Sequence, residues 1–443
     1  MRWAILSPGF QRPVIERKRG IMSVLASLTW RPGKLARDTV VVGTGMGLRA
    51  LSQAVVFLIV ARLLDAQGYG AFSAALAVAA VWSNFCGLGG HAILVRDVAR
   101  DPSRFPESWA LTLAALGLSI LPVLLLYLIS VRWFLPQVPW ALMLALGLGE
   151  LVFWPLANVA VYAYQGFERM GRSARMMLTP VLARLAAALG LLLAVVREDV
   201  GDRLVLWGGL YAAASLAAAA YAHYRVARDL GQPQWPGRRE LVAHIRAGVP
   251  FSLLGGAGKL YLDADKFLLA RLAGLETAGL YSAGYRFVDL AFLPLHALIA
   301  AAVPRLFRAG ADGTAHSLRA ALPLFGPALA YAAAAGLGVF LAAPLIPRLL
   351  GDSYEGAVPV VQWLAWLPLV TFPRLLMQSA LATSDRQTMG MMIVSLGALA
   401  NIGLNLWWIP LWGWRGAIVA TYAAEMGMIL TLLWQWKRRV QGE

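Results

Sequence analysis

The residues that could do chemistry in this chain are charged side chains set inside long apolar runs. The densest group is Lys259, Asp263, Asp265 and Lys266. At about 100° per residue, Lys259, Asp263 and Lys266 share one narrow helical stripe, and Asp265 lies about 120° from Lys259, where it serves another contact. Asp263 can pair with Lys259 at i,i+4 and with Lys266 at i,i+3. The stripe therefore either neutralises itself or, with one lysine in surplus, walls a positive cavity. Arg286 and Asp289 stand three apart and can pair; Asp289 and His296 stand seven apart on one face. His296 titrates in a range suited to a proton relay, although a lone helical histidine more often only hydrogen-bonds.

Arg49 has no acid within four positions, and Gly45, Ser52 and Gln53 share its face. Its counter-charge must come from another helix or from an anionic ligand. Arg184 and Arg374 lie in apolar runs too, either snorkelling to an interface or lining a cavity. Glu150 and Glu425 are lone acids, read either as ion- or proton-coupling groups or as buried partners of the arginines. Each such group costs on the order of 2.5–3.5 kcal/mol at mid-bilayer, so the eleven together cost roughly 30 kcal/mol if they face lipid. A water-filled interior removes that cost.

The elements that must carry these residues are membrane spans. The hydrophobic fraction is 59% and the charged fraction 14%, too apolar for any soluble fold to cover. Twelve segments meet the requirement of about 20 mostly apolar residues: 38–61, 70–92, 109–130, 139–164, 177–196, 204–224, 248–270, 278–303, 320–346, 357–380, 389–410 and 416–436. The expected fold is an all-α integral membrane protein with about 12 transmembrane helices in two parallel-repeat six-helix halves around a central cationic cavity. Its parts are a cytoplasmic N-terminal arm (1–37), a first half (38–224), a cytoplasmic linker (225–247), a second half (248–436) and a cytoplasmic tail (437–443).

The net charge of +16 fits this topology. Of the 39 Lys and Arg, 26 fall on the arm, inner loops and tail, seven on outer loops and six within spans. That is the positive-inside bias, and it removes the nucleic-acid reading, because the basic residues are scattered over loops. Trp109, Trp133, Trp140, Trp207, Trp407, Trp408, Trp412 and Trp414 stand at span ends, where indole favours the headgroup region. The single Cys86 excludes an intrachain disulfide. No His/Cys/Asp cluster has metal spacing, no Walker-type loop is present and no cofactor is expected. Gly43, Gly45 and Gly47, like Gly255, Gly256 and Gly258, read as helix-packing glycines.

A shift of 209 residues lays Ala61-Arg62-Leu63 on Ala270-Arg271-Leu272, and Gly70-Ala71-Phe72-Ser73-Ala74 on Gly279-Leu280-Tyr281-Ser282-Ala283. Both stretches join the first and second spans of a six-span half. An even number of spans separates them, so the halves share an orientation and a substrate path would lie at their interface.

With the Ala61-Arg62-Leu63…Gly68-Tyr69-Gly70 junction, the basic interior and the closing Gly413-Trp414-Arg415-Gly416-Ala417-Ile418-Val419-Ala420-Thr421, the chain resembles the polysaccharide transporter (Wzx-type flippase) family. That family shares a superfamily with the MATE exporters and the MurJ lipid II flippases; the latter usually have fourteen spans. The resemblance implies a protein of the bacterial inner membrane, not an enzyme. Its substrate would be an undecaprenyl-diphosphate-linked oligosaccharide, such as an O-antigen unit for lipopolysaccharide, turned to the outer leaflet by alternating access. Partners implied are membrane lipids, a glycan polymerase and other envelope-assembly proteins. Arg49, Lys259, Lys266, Arg286, Arg184 and Arg374 are the candidate substrate-binding cations. Glu150, Glu425, Asp263 and Asp289 are the candidate coupling carboxylates. Asp263 and Asp289 have an in-helix cation and should stay ionised, which favours Glu150 and Glu425 for protonation. The alternative is a MATE-like cation-coupled exporter of small molecules, which would need an interior dominated by acids.

Overall fold

The computed structural model describes residues 34–197, 202–311, 313–383 and 387–440. Most of the arm at 1–37 and the last residues of the tail lie outside the described residues. Among the described residues all regular structure is helical: α1 (Lys34–Ser83), α2 (Gly90–Arg100), α3 (Phe105–Phe134), α4 (Trp140–Gly147), α5 (Trp154–Gly166), α6 (Met170–Arg197), α7 (Arg203–Leu230), α8 (Arg238–Leu272), α9 (Leu275–Gly310), α10 (Thr314–Ala342), α11 (Ile346–Leu350), α12 (Ala357–Leu364), α13 (Leu367–Ala382), α14 (Gln387–Trp412) and α15 (Trp414–Val440), with short 3-10 and π turns between some of them.

Among the described residues, ten helices are long and apolar enough to cross a bilayer. Two differences from the twelve segments have physical causes. The first segment and most of the second (70–83) lie on α1, which turns at Asp65 (φ 56°, ψ 174°) rather than at a loop. The seventh lies on α8, whose Lys259, Asp263, Asp265 and Lys266 lower its hydropathy. The linker expected at 225–247 shrinks to 231–237, because α7 and α8 carry their polar ends as helix beyond the apolar stretch. Likewise α1 already includes 34–37, and α15 runs into the tail.

The turn at Asp65 has a counterpart 209 residues on, at Gly274, which has φ 95° and separates α8 from α9. The two junctions then pack on each other. A Cβ on Gly70 would fall 1.8 Å from the Leu275 carbonyl oxygen, and one on Gly279 would fall 1.9 Å from that of Ala66. Ala66 and Leu275, like Gly70 and Gly279, stand 209 apart, so each contact is the other with the partners exchanged. Only glycine allows backbone to approach backbone this closely. Tyr354 ties the same end, its hydroxyl lying 2.9 Å from the Ala61 carbonyl and 3.1 Å from that of Asp65.

A second glycine seam lies toward the other end of the bundle. Gly89 and Gly248 would each drive a Cβ into the other strand of backbone, at 2.0 Å from Gly248 O and 2.2 Å from Leu88 O. Gly255 and Gly256 meet Asn84 and Phe85, as packing glycines should, whereas Gly47 and Gly258 face open space. Between the two seams, α1, α8 and α9 leave an interior space.

Candidate functional site: a cationic interior cavity

The space between the seams is a cavity of about 400 Å³. Its wall gathers Arg49, Arg184, Lys259, Lys266 and Arg286 against Glu150, Asp263 and Asp289, five cations and three carboxylates. Gln53, Tyr69, Ser73, Asn84, Trp154, Tyr211 and Tyr285 supply further polar surface. Five of the six cations singled out from the sequence thus share one cavity, drawn from α1, α6, α8 and α9.

Local sequence explains how each is aimed. Glu150 sits in a π turn, Leu148–Phe153, between α4 and α5. Pro155 lacks the N–H that would bond Leu151, and its ring crowds that carbonyl, so the helix widens there. The widened turn directs Glu150 at Arg184, 2.5 Å away. Tyr211 donates its hydroxyl to the same carboxylate oxygen, and Arg184 also reaches Ser215 at 3.2 Å. The Arg184 guanidinium lies 4.0 Å from the Tyr211 ring centroid and 5.0 Å from that of Trp154. Arg49 lies over the same Trp154 ring at 5.9 Å. The indole face thus helps two like charges share one wall. Among the described residues no carboxylate pairs with Arg49.

On α8, Asp263 accepts from Lys259 at 2.7 Å and also from Lys266. One carboxylate thus serves two ammonium groups, and the stripe keeps a surplus positive charge. Arg286 shares the cavity wall with the Tyr69 hydroxyl and with Asp289 as its charged neighbour. Asp265 turns away from the stripe and accepts the Tyr281 hydroxyl at 2.5 Å.

Arg374 departs from the other five. It lines a separate cavity of about 340 Å³ with Tyr261, Asp265, Asp289, His296, Asn401 and Glu425. Its Nε meets Glu425 at 2.5 Å, and Tyr261 donates to Glu425 at 2.7 Å. Arg374 and Glu425 are 5% and 3% exposed, so the pair is almost wholly buried in that wall. Asp289 and His296 share this wall, and His296 stacks on Phe292. Each lone glutamate thus holds an arginine, Glu150 the half-buried Arg184 and Glu425 the buried Arg374.

Sequence reading missed the tyrosines. Tyr211, Tyr261 and Tyr281 each bring a hydroxyl to a buried carboxylate. Their signal was present, since a phenol in an apolar span needs a polar partner, but spacing alone could not pair them across helices.

A family model described as polysaccharide biosynthesis protein matches residues 35–309, well over half of the chain. The chain belongs to that family. The curated proteins contain no match to it. In fold, this polysaccharide biosynthesis protein is similar to an inward-facing multidrug resistance MATE transporter of the MOP superfamily, with TM-score 0.72, 16% identity and coverage of 89% of this chain and 95% of that one. An outward-facing conformation of a MATE transporter of that superfamily aligns with TM-score 0.57, 17% identity and coverage of 92% and 95%. A MOP superfamily transporter from Pyrococcus furiosus, described as having a binding pocket of reverse polarity, aligns with TM-score 0.53, 15% identity and coverage of 90% and 95%. The family member thus has the fold of MOP superfamily transporters.

Proposed function

We propose that this polysaccharide biosynthesis protein is a flippase that moves an undecaprenyl-diphosphate-linked oligosaccharide from the inner to the outer leaflet of a bacterial inner membrane. One observation carries the reading: an interior cavity whose cations exceed its carboxylates, with Arg49 left without a carboxylate partner among the described residues. A diphosphate crossing hydrocarbon needs counter-charge, and guanidinium matches phosphate oxygens in bidentate geometry. The glycan would occupy the polar cavity while the prenyl chain stays in lipid. A MATE-like cation-coupled exporter of small molecules is disfavoured by the same wall, since a coupling cation is repelled by the surplus positive charge of a desolvated cavity. The reverse-polarity pocket described for the Pyrococcus furiosus transporter is a precedent for a shared fold with an altered interior.

In this reading the chain makes twelve spans, counting α1 as two across Asp65 and α8 as one. The halves 38–224 and 248–436 are parallel repeats, and both termini are cytoplasmic. The exchange-symmetric contact of Gly70 and Gly279 supports the pairing of halves. Rocking of one half on the other would supply alternating access. Greater likeness to the inward-facing relative than to the outward-facing one supports a cavity open to the cytoplasm, with the Gly70–Gly279 seam closing the outer end. Glu150 and Glu425 would couple to protons only by releasing Arg184 and Arg374, so any antiport proceeds through these two pairs.

The test is flipping of a lipid-linked oligosaccharide in proteoliposomes, with and without an imposed proton gradient, in wild type, Glu150→Gln and Glu425→Gln. Flipping is expected in wild type; its absence with every lipid-linked glycan tried sinks the assignment. Flipping that ignores the gradient makes the two glutamates purely structural.

A further inference from the structure

We propose that an apolar recess on the lipid side of α9 and α10 seats the polyprenyl chain of the substrate whose diphosphate occupies the cationic cavity; this rests on the flippase reading above. The recess has a volume of about 440 Å³, within the ~300–1,000 Å³ usual for ligand sites. Every residue lining it is apolar, among them Phe287, Leu290, Gly338, Val339, Ala342 and Leu349. Sequence builds the hollow: on α10 the wall-lining positions Ala335, Gly338 and Ala342 recur at helical spacing and carry almost no side chain. A Cβ at Gly338 would meet nothing within 4 Å.

The recess and the cationic cavity lie on two sides of one helix. On α9, Arg286 and Asp289 line the cavity while Phe287 and Leu290 line the recess. Arg286 and Leu290 are about 40° apart on the helical wheel and about one turn apart along it. A side pocket of about 100 Å³ shares Gln53, Tyr69 and Arg286 with the main cavity and is walled by Phe57. Phe57 meets Phe287 edge to face, with ring centroids 5.7 Å apart. The aromatic contact between α1 and α9 thus joins a residue beside Arg286 to one that lines the recess.

This geometry fits an amphiphile with a compact anionic head and a long hydrocarbon chain. Bulk phospholipid can coat any apolar face, but it needs no arginine one helical turn away. The polyprenyl diphosphate satisfies both spaces with one molecule, and parting of Phe57 and Phe287 would let its chain pass.

The experiment uses the full chain in lipid nanodiscs and two sugar-free probes, undecaprenyl diphosphate and geranyl diphosphate. Gly338→Phe fills the hollow from an open position, and Gly338→Leu fills it less. Gly338→Phe is expected to weaken the long-chain probe about tenfold, the loss for roughly two unseated methylenes, and to leave the short one unchanged. A photoactivatable long-chain probe should label peptides carrying Leu290 or Leu349 in wild type, a readout that does not depend on how the variants fold. Equal long-chain affinity in wild type and Gly338→Phe, with label elsewhere, overturns the recess and leaves the flippase intact. Failure of wild type to bind either diphosphate overturns both.

Discussion

Arg49 and Arg184 share one indole face, yet they should fail differently when removed. Arg49→Ala deletes a charge with no carboxylate partner among the described residues, so flipping should stop while the thermal unfolding midpoint holds. Arg49→Lys should restore only part of the flux, because a point ammonium cannot chelate two phosphate oxygens. Arg374→Met instead strands Glu425 in a site where both partners are nearly inaccessible. Breaking such a pair costs ~3–5 kcal/mol, whereas replacing both members is often neutral. The double variant Arg374→Met, Glu425→Leu should therefore melt near wild type, and Arg374→Met alone well below it. The ionisable residues were legible in the sequence because each is expensive in an apolar run. Which arginine meets which glutamate was not legible: Arg184 and Glu150 stand on different helices, and only the fold joins them.

Among the elements, α1 carries a local strain that its own repeat avoids. Asp65 adopts a backbone conformation (φ 56°, ψ 174°) that is almost reserved for glycine and costs an L residue ~1–3 kcal/mol. The matching position is Gly274. Asp65→Gly should raise the unfolding midpoint, and Gly274→Val should lower it. The end of α7 offers a pH-dependent case. The Tyr164 hydroxyl, with Arg172 and Arg225 beside it, holds the Asp229 carboxyl below the usual carboxylate range. A lowered carboxylate pKa contributes stability that is present above the unfolded value, about 3.9, and is lost as pH falls through the folded one. Asp229→Asn should thus melt below wild type at neutral pH, and the gap should close under acid. Hydropathy located the spans because each is a run of apolar residues. It did not show that α7 and α8 run on as helix into the expected linker, nor that the first connection is a single backbone angle at Asp65 rather than a loop.

For the whole molecule, orientation is the first thing to measure. Reporter fusions after Arg104, Arg172, Arg238 and Arg308 should read cytoplasm, and fusions near Arg132, Asp199 and Gly351 should read outside; one reversal breaks the twelve-span topology. The 209-residue shift was visible in the sequence, but nothing there said that the two matched stretches touch. That contact predicts how variants combine. Gly70→Ala and Gly279→Ala each part the same seam, so the double variant should add little to either single one. Spin labels at Gln67 and Glu276, both exposed beside the seam, would report the separation. The closest approaches there run from glycine to main-chain atoms, and backbone amides neither gain nor lose a proton in the physiological range. Acidity and salt have no handle on such a clasp. Whatever drives the cycle must therefore act elsewhere, prising the closed end apart by leverage along α1 and α9.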